Sequence, residues 1–188
     1  MAEDWVTRIA GAVEARWERQ RSHANPAQRE AGEGGLAPIV CASGITPSGP
    51  VHLGNLREVM TVHLVAEALR SRGHRVRHLH FWDDFDRLRK VPAGVPADFE
   101  RFVGRPLADV PDPAGCHASY AEHFTADFES GLERLHVFPA YVRQSEAYRA
   151  GRYTSAIRQA LRARHQIFDV LATFQTAGRE AAPEGEPG

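Results

Sequence analysis

The sequence contains few cysteines, almost no lysine and no long apolar run. Two cysteines, Cys41 and Cys116, are too few for a disulfide framework, which favours a reducing, cytoplasmic location. No apolar stretch approaches the ~18 residues of a membrane helix, and the charged N-terminus is not a secretory signal, so we expect no membrane partner. Lys90 is the one lysine among 23 basic residues, and the net charge is −1. This balance disfavours a protein that coats nucleic acid non-specifically.

The first half of the 188 residues has the periodicity of a strand–helix–strand unit that follows an N-terminal helix. Trp5, Ile9, Val13 and Trp17 recur at spacing four, which is typical of an amphipathic helix. A short apolar run and a later alternating run predict two strands with a helix between them, and such a unit crosses over right-handed into a parallel pair. The predicted elements are helix 4–21, loop 22–36, strand 37–43, helix 56–73 and strand 74–82.

The second half begins with an irregular insertion, since five prolines fall within residues 83–115. A helix over 117–135 follows, and its stripe of Tyr120, Phe124 and Phe128 is most simply core. Pro139 should push a third strand at 136–143 toward a sheet edge or an early break. A short helix at 145–151 and a long helix at 153–177 complete the pattern.

These elements predict an α/β fold with a Rossmann-like parallel sheet that binds a nucleotide. We expect an N-terminal helix and loop over 1–36, a Rossmann-like portion over 37–177 with its insertion at about 83–116, and a disordered tail over 178–188. His74, His78 and His80 share one face of the second strand. Because arginines flank them in sequence, we expect them at the surface.

The segment Ser43–Asn55 joins the first strand to a helix and carries the chemistry. The carboxyl edge of a parallel sheet is where α/β proteins place nucleotides, and a helix N-terminus suits a phosphate. Gly44 and Gly49 would allow backbone bends and close approach of a ligand, and Gly54 leaves room for a flat base. The alternative is a Gly/Pro-rich connector in which His52 is incidental.

Three segments together resemble class I aminoacyl-tRNA synthetases, and class I lysyl-tRNA synthetases in particular. They are CASGITPSGPVHLGNLREVMT, RHLHFWDDFDRLRKVP and DVPDPAGCHASYAEHF, and the first contains a match to the HIGH motif. The resemblance runs from about Trp5 to about Thr173. It implies ATP-dependent activation of lysine to lysyl-adenylate and transfer to tRNA(Lys), with ATP, Mg²⁺ and lysine at the site.

The resemblance also implies roles for individual residues. His52 and Asn55 would hold phosphate or ribose as the catalytic pair, and Gly54 would lie against the base. Gly44 and Thr46 would border the lysine substrate. The full ATP-binding set is Pro47, Ser48, Gly49, His52, Gly54 and Asn55.

Three carboxylates follow the second strand, on Asp83, Asp84 and Asp86. Such a group could hold the ammonium of a substrate or a Mg²⁺ ion, and Asp84 is the candidate for substrate binding. The alternative is a solvated acidic loop that pairs with the neighbouring cations on Arg87, Arg89 and Lys90.

Asp112, Cys116, His117 and His123 offer four metal ligands within twelve residues. A thiolate, two imidazoles and a carboxylate could close a tetrahedral, structural zinc site that staples an insertion with little core of its own. From spacing alone, a chance cluster is the simpler interpretation, because the chain has ten histidines. The resemblance to the synthetases favours zinc.

The sequence departs from the family pattern because it has no counterpart of the KMSKS loop or of the anticodon-binding region. We therefore expect incomplete activity in this chain, with the remainder of the synthetase as a possible separately encoded partner. The alternative is a module that binds ATP or lysine without catalysis. A third, more distant hypothesis is that the chain is another nucleotidyltransferase of the HIGH superfamily that makes no aminoacyl-tRNA.

Overall fold

The structure is a computed structural model that describes residues 4–22 and 37–174. The predicted tail and nearly all of the loop at 22–36 lie outside these ranges. The elements, in chain order, are α1 (Trp5–Ser22), β1 (Ile39–Ile45), α2 (Leu53–Ser71), β2 (Val76–Trp82), two 3₁₀ turns (Ala97–Phe102 and Leu107–Asp109), α3 (Tyr120–Arg134), β3 (Ala140–Arg143), α4 (Gln144–Arg149), α5 (Thr154–Arg162) and α6 (Arg164–Ala172).

The described strands form a three-stranded parallel sheet in the order β1-β2-β3. Ile39 pairs with Val76 at one end of the β1–β2 ladder and Ile45 with Trp82 at the other, which confirms the predicted crossover and the α/β class. β3 is an edge strand that starts at Ala140, four residues later than predicted. Its start is delayed because His136 takes a left-handed φ of 57° after α3 and Pro139 has no N–H to donate.

α2 begins at Leu53, three residues earlier than predicted, because His52 and Asn55 cap it. These two residues are polar, so they do not enter the apolar periodicity from which the start was predicted. Val59 of α2 packs with Ile45 of β1 and Trp82 of β2 in one buried cluster. α1 packs against the other end of α2 through Ala10, beside Leu69.

The histidines of β2 contradict the prediction that they lie at the surface. His78 and His80 are 4% and 0% exposed, because their face of the strand packs beneath the helices with Trp82. Arg77 lies on the opposite face, since side chains alternate along a strand. On that opposite face of the sheet Val40 is 52% exposed, so the two faces differ strongly in cover.

The insertion after β2 is irregular, as predicted, but it has a core of its own, contrary to expectation. Leu88, Phe99 and Leu107 pack with Val110 and with Tyr120 of α3. Phe124 packs against the same cluster, which confirms the aromatic stripe of α3 as core. The insertion therefore does not depend on a metal ion alone for its packing.

The chain divides into two compact units, one ending at Ala147 and the other beginning at Tyr148. Within the second unit the prediction of one long helix is wrong, because the helix breaks at Ala163 into α5 and α6. The apolar stripe of α5 consists of Ile157 and Leu161. Its next position, three or four residues later, is polar, since Arg164 and His165 stand there, and the amphipathic pattern is interrupted. The domain boundary predicted at 36/37 falls where the described residues resume, and the one predicted at 177/178 lies after the last described residue. Both stay predictions.

No helix in the described ranges is both long enough and apolar enough to cross a membrane.

Candidate active site and metal cluster

The two segments that follow β1 and β2 meet at the carboxyl edge of the sheet. Because Ile45 and Trp82 are partners in the parallel ladder, the chain leaves both strands at the same edge. The Asp83 N–H donates to the Ile45 carbonyl at 2.9 Å, and the Thr46 hydroxyl donates to Asp86 Oδ2 at 3.0 Å. Residues 40 positions apart in sequence are thus joined directly.

The start of α2 is built from the residues of the HIGH-like motif. The His52 ring folds back over the helix end, and its Nδ1 accepts from the Gly54 N–H at 3.1 Å. Asn55 Oδ1 accepts from the His52 N–H at 3.1 Å, which completes a reciprocal cap. A Cβ on Gly54 would lie 3.0 Å from His52 Cε1, so any larger residue would require the ring to shift from this position.

A cavity of about 650 Å³ opens between this helix start and the segment that follows β2. It is lined by Thr46, Ser48 and Gly49 on one side and by His52 and Asn55 on another. Six of the predicted site residues lie in or beside it. Pro47 is fully buried beneath the loop, and the Tyr120 hydroxyl of α3 donates to the Ser48 carbonyl at 2.9 Å.

The β1 side of the edge is acidic. The Gly44 N–H donates to Glu58 Oε1 at 2.9 Å, and Asp83 lies close by on the next strand. Burial raises the pKa of Asp83, and the neighbouring charges of Asp86, Asp84 and Glu58 raise it further. A cationic group placed there would relieve this repulsion.

Sequence reasoning missed Glu58. The available signal was its spacing of three from Asn55, which places both side chains on the same face of α2.

Asp84 is placed differently from its two neighbours. Its side chain is buried, its Oδ1 accepts from the Ser145 N–H at 2.8 Å, and its Oδ2 accepts from the Ser145 hydroxyl. Both oxygens are therefore engaged with the start of α4, which favours a role in joining β2 to β3 and α4. Its assignment as a substrate-binding residue stays a prediction.

The four predicted metal ligands converge at the start of α3, three of them before the helix and His123 within it. Ligand atoms of Asp112, Cys116, His117 and His123 all lie within 4.8 Å of one another. Cys116 Sγ is 3.1 Å from His117 Nδ1 and 3.4 Å from His123 Nδ1, and Asp112 Oδ1 is 3.1 Å from His123 Nδ1. Burial raises the pKa of Asp112, but hydrogen bonds from Ala114, His117 and Cys116 outweigh it and hold that pKa well below its usual range.

With Zn–N near 2.1 Å and Zn–S near 2.3 Å, neighbouring ligands of a tetrahedral zinc lie roughly 3.3–3.6 Å apart. The three separations of 3.1–3.4 Å are close to this range, and the other ligand atoms, within 4.8 Å, would have to draw together around an ion. One thiol, two imidazoles and a carboxylate form a donor set typical of zinc. Without an ion, the carboxylate of Asp112 raises the pKa of the Cys116 thiol, first through their hydrogen bond and then with the help of burial. The residues therefore fit the ion that the sequence predicts.

A model of class I (K) tRNA synthetases matches residues 4–183. The chain belongs to this family. Its relatives include the lysine–tRNA ligase of Pyrococcus furiosus, which is 48% identical over 75% of this chain, and that of Streptomyces coelicolor, which is 44% identical over 98% of it. The lysine–tRNA ligase of Treponema pallidum is 45% identical over 72% of the chain.

The family match runs from residue 4 to residue 183, so it includes every element that builds the site. The aligned part makes up 27% of the Pyrococcus furiosus protein and 30% of the Streptomyces coelicolor protein. The chain thus spans less than a third of the length of these relatives.

Proposed function

We propose that this chain forms the ATP- and lysine-binding part of a class I lysine–tRNA ligase. One observation carries the proposal: the TPSGPVHLGN and WDDFD segments, far apart in sequence, share one sheet edge and are joined through Thr46 and Asp86. The family membership supplies the substrates, and the sheet edge supplies a site of suitable size and polarity.

Lysine would bind at the acidic side of the edge, beside Gly44 and Thr46. Its ammonium groups would face Glu58 and Asp83, where opposite charge relieves the repulsion between carboxylates. ATP would occupy the cavity, with His52 and Asn55 at its phosphate or ribose and Gly54 near the base. Asp83 and Asp86 offer the carboxylate oxygens that Mg²⁺ prefers when it accompanies ATP.

The proposed reaction is an in-line displacement at the α-phosphorus of ATP. A lysine carboxylate oxygen forms the new bond to phosphorus, and the bond to the bridging oxygen of the β-phosphate breaks. That oxygen keeps the electron pair, so pyrophosphate leaves and lysyl-adenylate remains. The contribution of the chain is to position the two substrates and to stabilise the charges. Transfer to tRNA(Lys), in the cytoplasm, completes the activity.

Lysine-dependent exchange of pyrophosphate into ATP by the purified chain tests this function. His52→Ala should abolish exchange, while Glu18→Ala, on the exposed side of α1, serves as a control that leaves it unchanged. Exchange that needs no lysine, or that survives His52→Ala, would contradict the assignment.

A binding module without catalysis is the second candidate, since the cavity and the acidic side of the edge would hold both substrates without any reaction between them. Calorimetry with ATP and with lysine separates the two. Saturable binding of both substrates without exchange would support the module, with a separately encoded remainder of the synthetase as its partner.

We also propose that the four-residue cluster binds one structural Zn²⁺. Elemental analysis of the purified chain should find about one zinc per chain, and Cys116→Ser should lower it strongly. Cys41→Ser is the matched control, since Cys41 lies on β1 away from the cluster. A full zinc content in Cys116→Ser would contradict the site.

A further inference from the structure

Three cationic side chains line one wall of the cavity at the sheet edge. They belong to Arg87, Arg89 and Lys90, and they face the wall that contains Ser48 and His52. No carboxylate is among the described residues that line this cavity, although Asp86 accepts a hydrogen bond from the lining residue Thr46. The charged side chains of the lining are therefore all cationic, whereas the lysine side of the same edge is acidic.

The backbone of this wall is held rigidly. The Leu88 N–H donates to the Arg105 carbonyl at 2.8 Å, and the Gly104 N–H donates to the Leu88 carbonyl at 2.8 Å. Arg87 also forms an antiparallel bridge with Pro106. An extended segment held in this way cannot slide along the cavity.

Burial of Leu88 decides where its neighbours point. Its side chain is 1% exposed and anchors the core of the insertion. Because side chains alternate along an extended segment, Arg87 and Arg89 point to the opposite side, where the cavity opens. The chain bends at Lys90, which also lines the cavity, so the alternation does not extend to it. The spacing of the two guanidinium groups thus follows from the burial of the leucine between them.

The three cations lack counter-ions within the part of the chain that the structure describes. None of them takes part in the ion pairs found there, and all three are exposed. Ion pairs of these cations with the neighbouring aspartates, as in the alternative interpretation, are not found among the described residues. Like charges held together without partners create a field that favours a multivalent anion.

We propose that Arg87, Arg89 and Lys90 bind the phosphate chain of the nucleoside triphosphate. This inference rests on the proposed function and deepens it, since it assigns the β- and γ-phosphates to this wall. Negative charge builds on the pyrophosphate as its bond to the α-phosphorus breaks, and guanidinium groups stabilise such oxygens through paired N–H donors. The two charged substrates are thereby separated into an acidic and a basic half of one edge.

Calorimetric titration of the full chain with ATP, inorganic tripolyphosphate and adenosine tests the proposal. Arg89→Gln and Lys90→Gln should each weaken ATP and tripolyphosphate about tenfold and leave adenosine unchanged. The dependence of ATP binding on salt should also become less steep. Arg101→Gln is the matched control, because Arg101 loses the same charge from the same insertion but pairs with Asp98.

Each outcome decides between the two proposals. Equal ATP affinity in wild type and in both cavity variants overturns the phosphate wall and leaves the proposed function standing. Tripolyphosphate binding that depends on Arg89, without any ATP binding, supports the wall and contradicts the proposed function. Failure of wild type to bind either ligand overturns both. Circular dichroism of each variant confirms that it is folded.

Discussion

At the scale of single residues, the contact between Gly54 and His52 determines the shape of the helix start. The imidazole occupies the space that a side chain at position 54 would fill, and it caps the helix from there. The glycine is needed for space, since neither Gly54 nor the glycines at 44 and 49 are among the residues with positive φ.

Gly54→Ala should displace the His52 ring and weaken ATP binding by about tenfold, the effect of losing one well-placed hydrogen bond. Gly131→Ala is the matched control, because a Cβ there meets nothing within 4 Å and α3 should gain up to ~1 kcal/mol of stability. ATP affinity and unfolding by urea measure the two effects. Unchanged affinity in Gly54→Ala would argue against a role for the ring position.

The buried histidines of β2 should make the fold sensitive to acid. Burial lowers the pKa of His78 to about 4, helped by the charges of His63 and Arg70 and opposed by Glu67. The Nε2 atoms of His78 and His80 are buried without a hydrogen-bond partner, so protonation would bury an unpaired charge.

The sign of the effect follows from the lowered pKa. Between pH 6.5 and 4 the unfolded state binds more protons, so stability falls as the pH falls through this range. Between pH 7.5 and 5 the wild type should lose roughly 1–2 kcal/mol more than His78→Leu, as urea unfolding would measure. The other groups are the same in both proteins, so their contributions cancel in the difference. Parallel curves would show that folding does not lower the pKa of His78.

At the scale of elements, the first residue of α3 links the four-ligand cluster to the loop at Ser48 that lines the cavity. Tyr120 lies between the ligand positions His117 and His123, is fully buried, and donates its hydroxyl to the Ser48 carbonyl. Burial also raises the pKa of this hydroxyl to about 12, so it remains a donor throughout the physiological range. The loop at Ser48 is thus held by α3, the helix that also carries the cluster residue His123.

Tyr120→Phe should cost about 1 kcal/mol of stability and weaken ATP binding several-fold, because the Ser48 carbonyl loses its partner. Tyr141→Phe is the matched control, since burial raises its pKa likewise but no hydrogen bond of its hydroxyl is found among the described residues. Thermal unfolding and ATP titration compare them. Equal affinities in the two variants would contradict the link.

The elements also show what the sequence could and could not predict. α1 and α2 follow from helical apolar periods, β1 from a short apolar run and β2 from alternation, and these patterns report directly on burial. The buried state of His78 was missed because it depends on which helices cover that face, and this is a tertiary property. The sequence does not place Glu58 in the site, because its contact with Gly44 depends on how α2 packs on β1. It does not place Arg89 there either, because the burial of Leu88 decides where Arg89 points.

At the scale of the whole molecule, the sheet is covered unequally. Val59, on the side of α2 that packs against the sheet, has no exposure, whereas Val40 on the other face of the sheet is 52% exposed. Val59→Ala should therefore cost about 2 kcal/mol and Val40→Ala less than ~0.5 kcal/mol in urea unfolding. This matched pair measures the asymmetry directly. Similar losses at both positions would show that the second face is covered in solution.

The order of strands in the sheet has a consequence for synthesis on the ribosome. Each described strand pairs with its neighbour in the chain, so within the described sheet no strand waits for a distant partner. Since chains emerge from the N-terminus, β1 and β2 can join as soon as residue 82 has left the exit tunnel. The bond between Thr46 and Asp86 can form once residue 86 has followed, before α3 has left the tunnel.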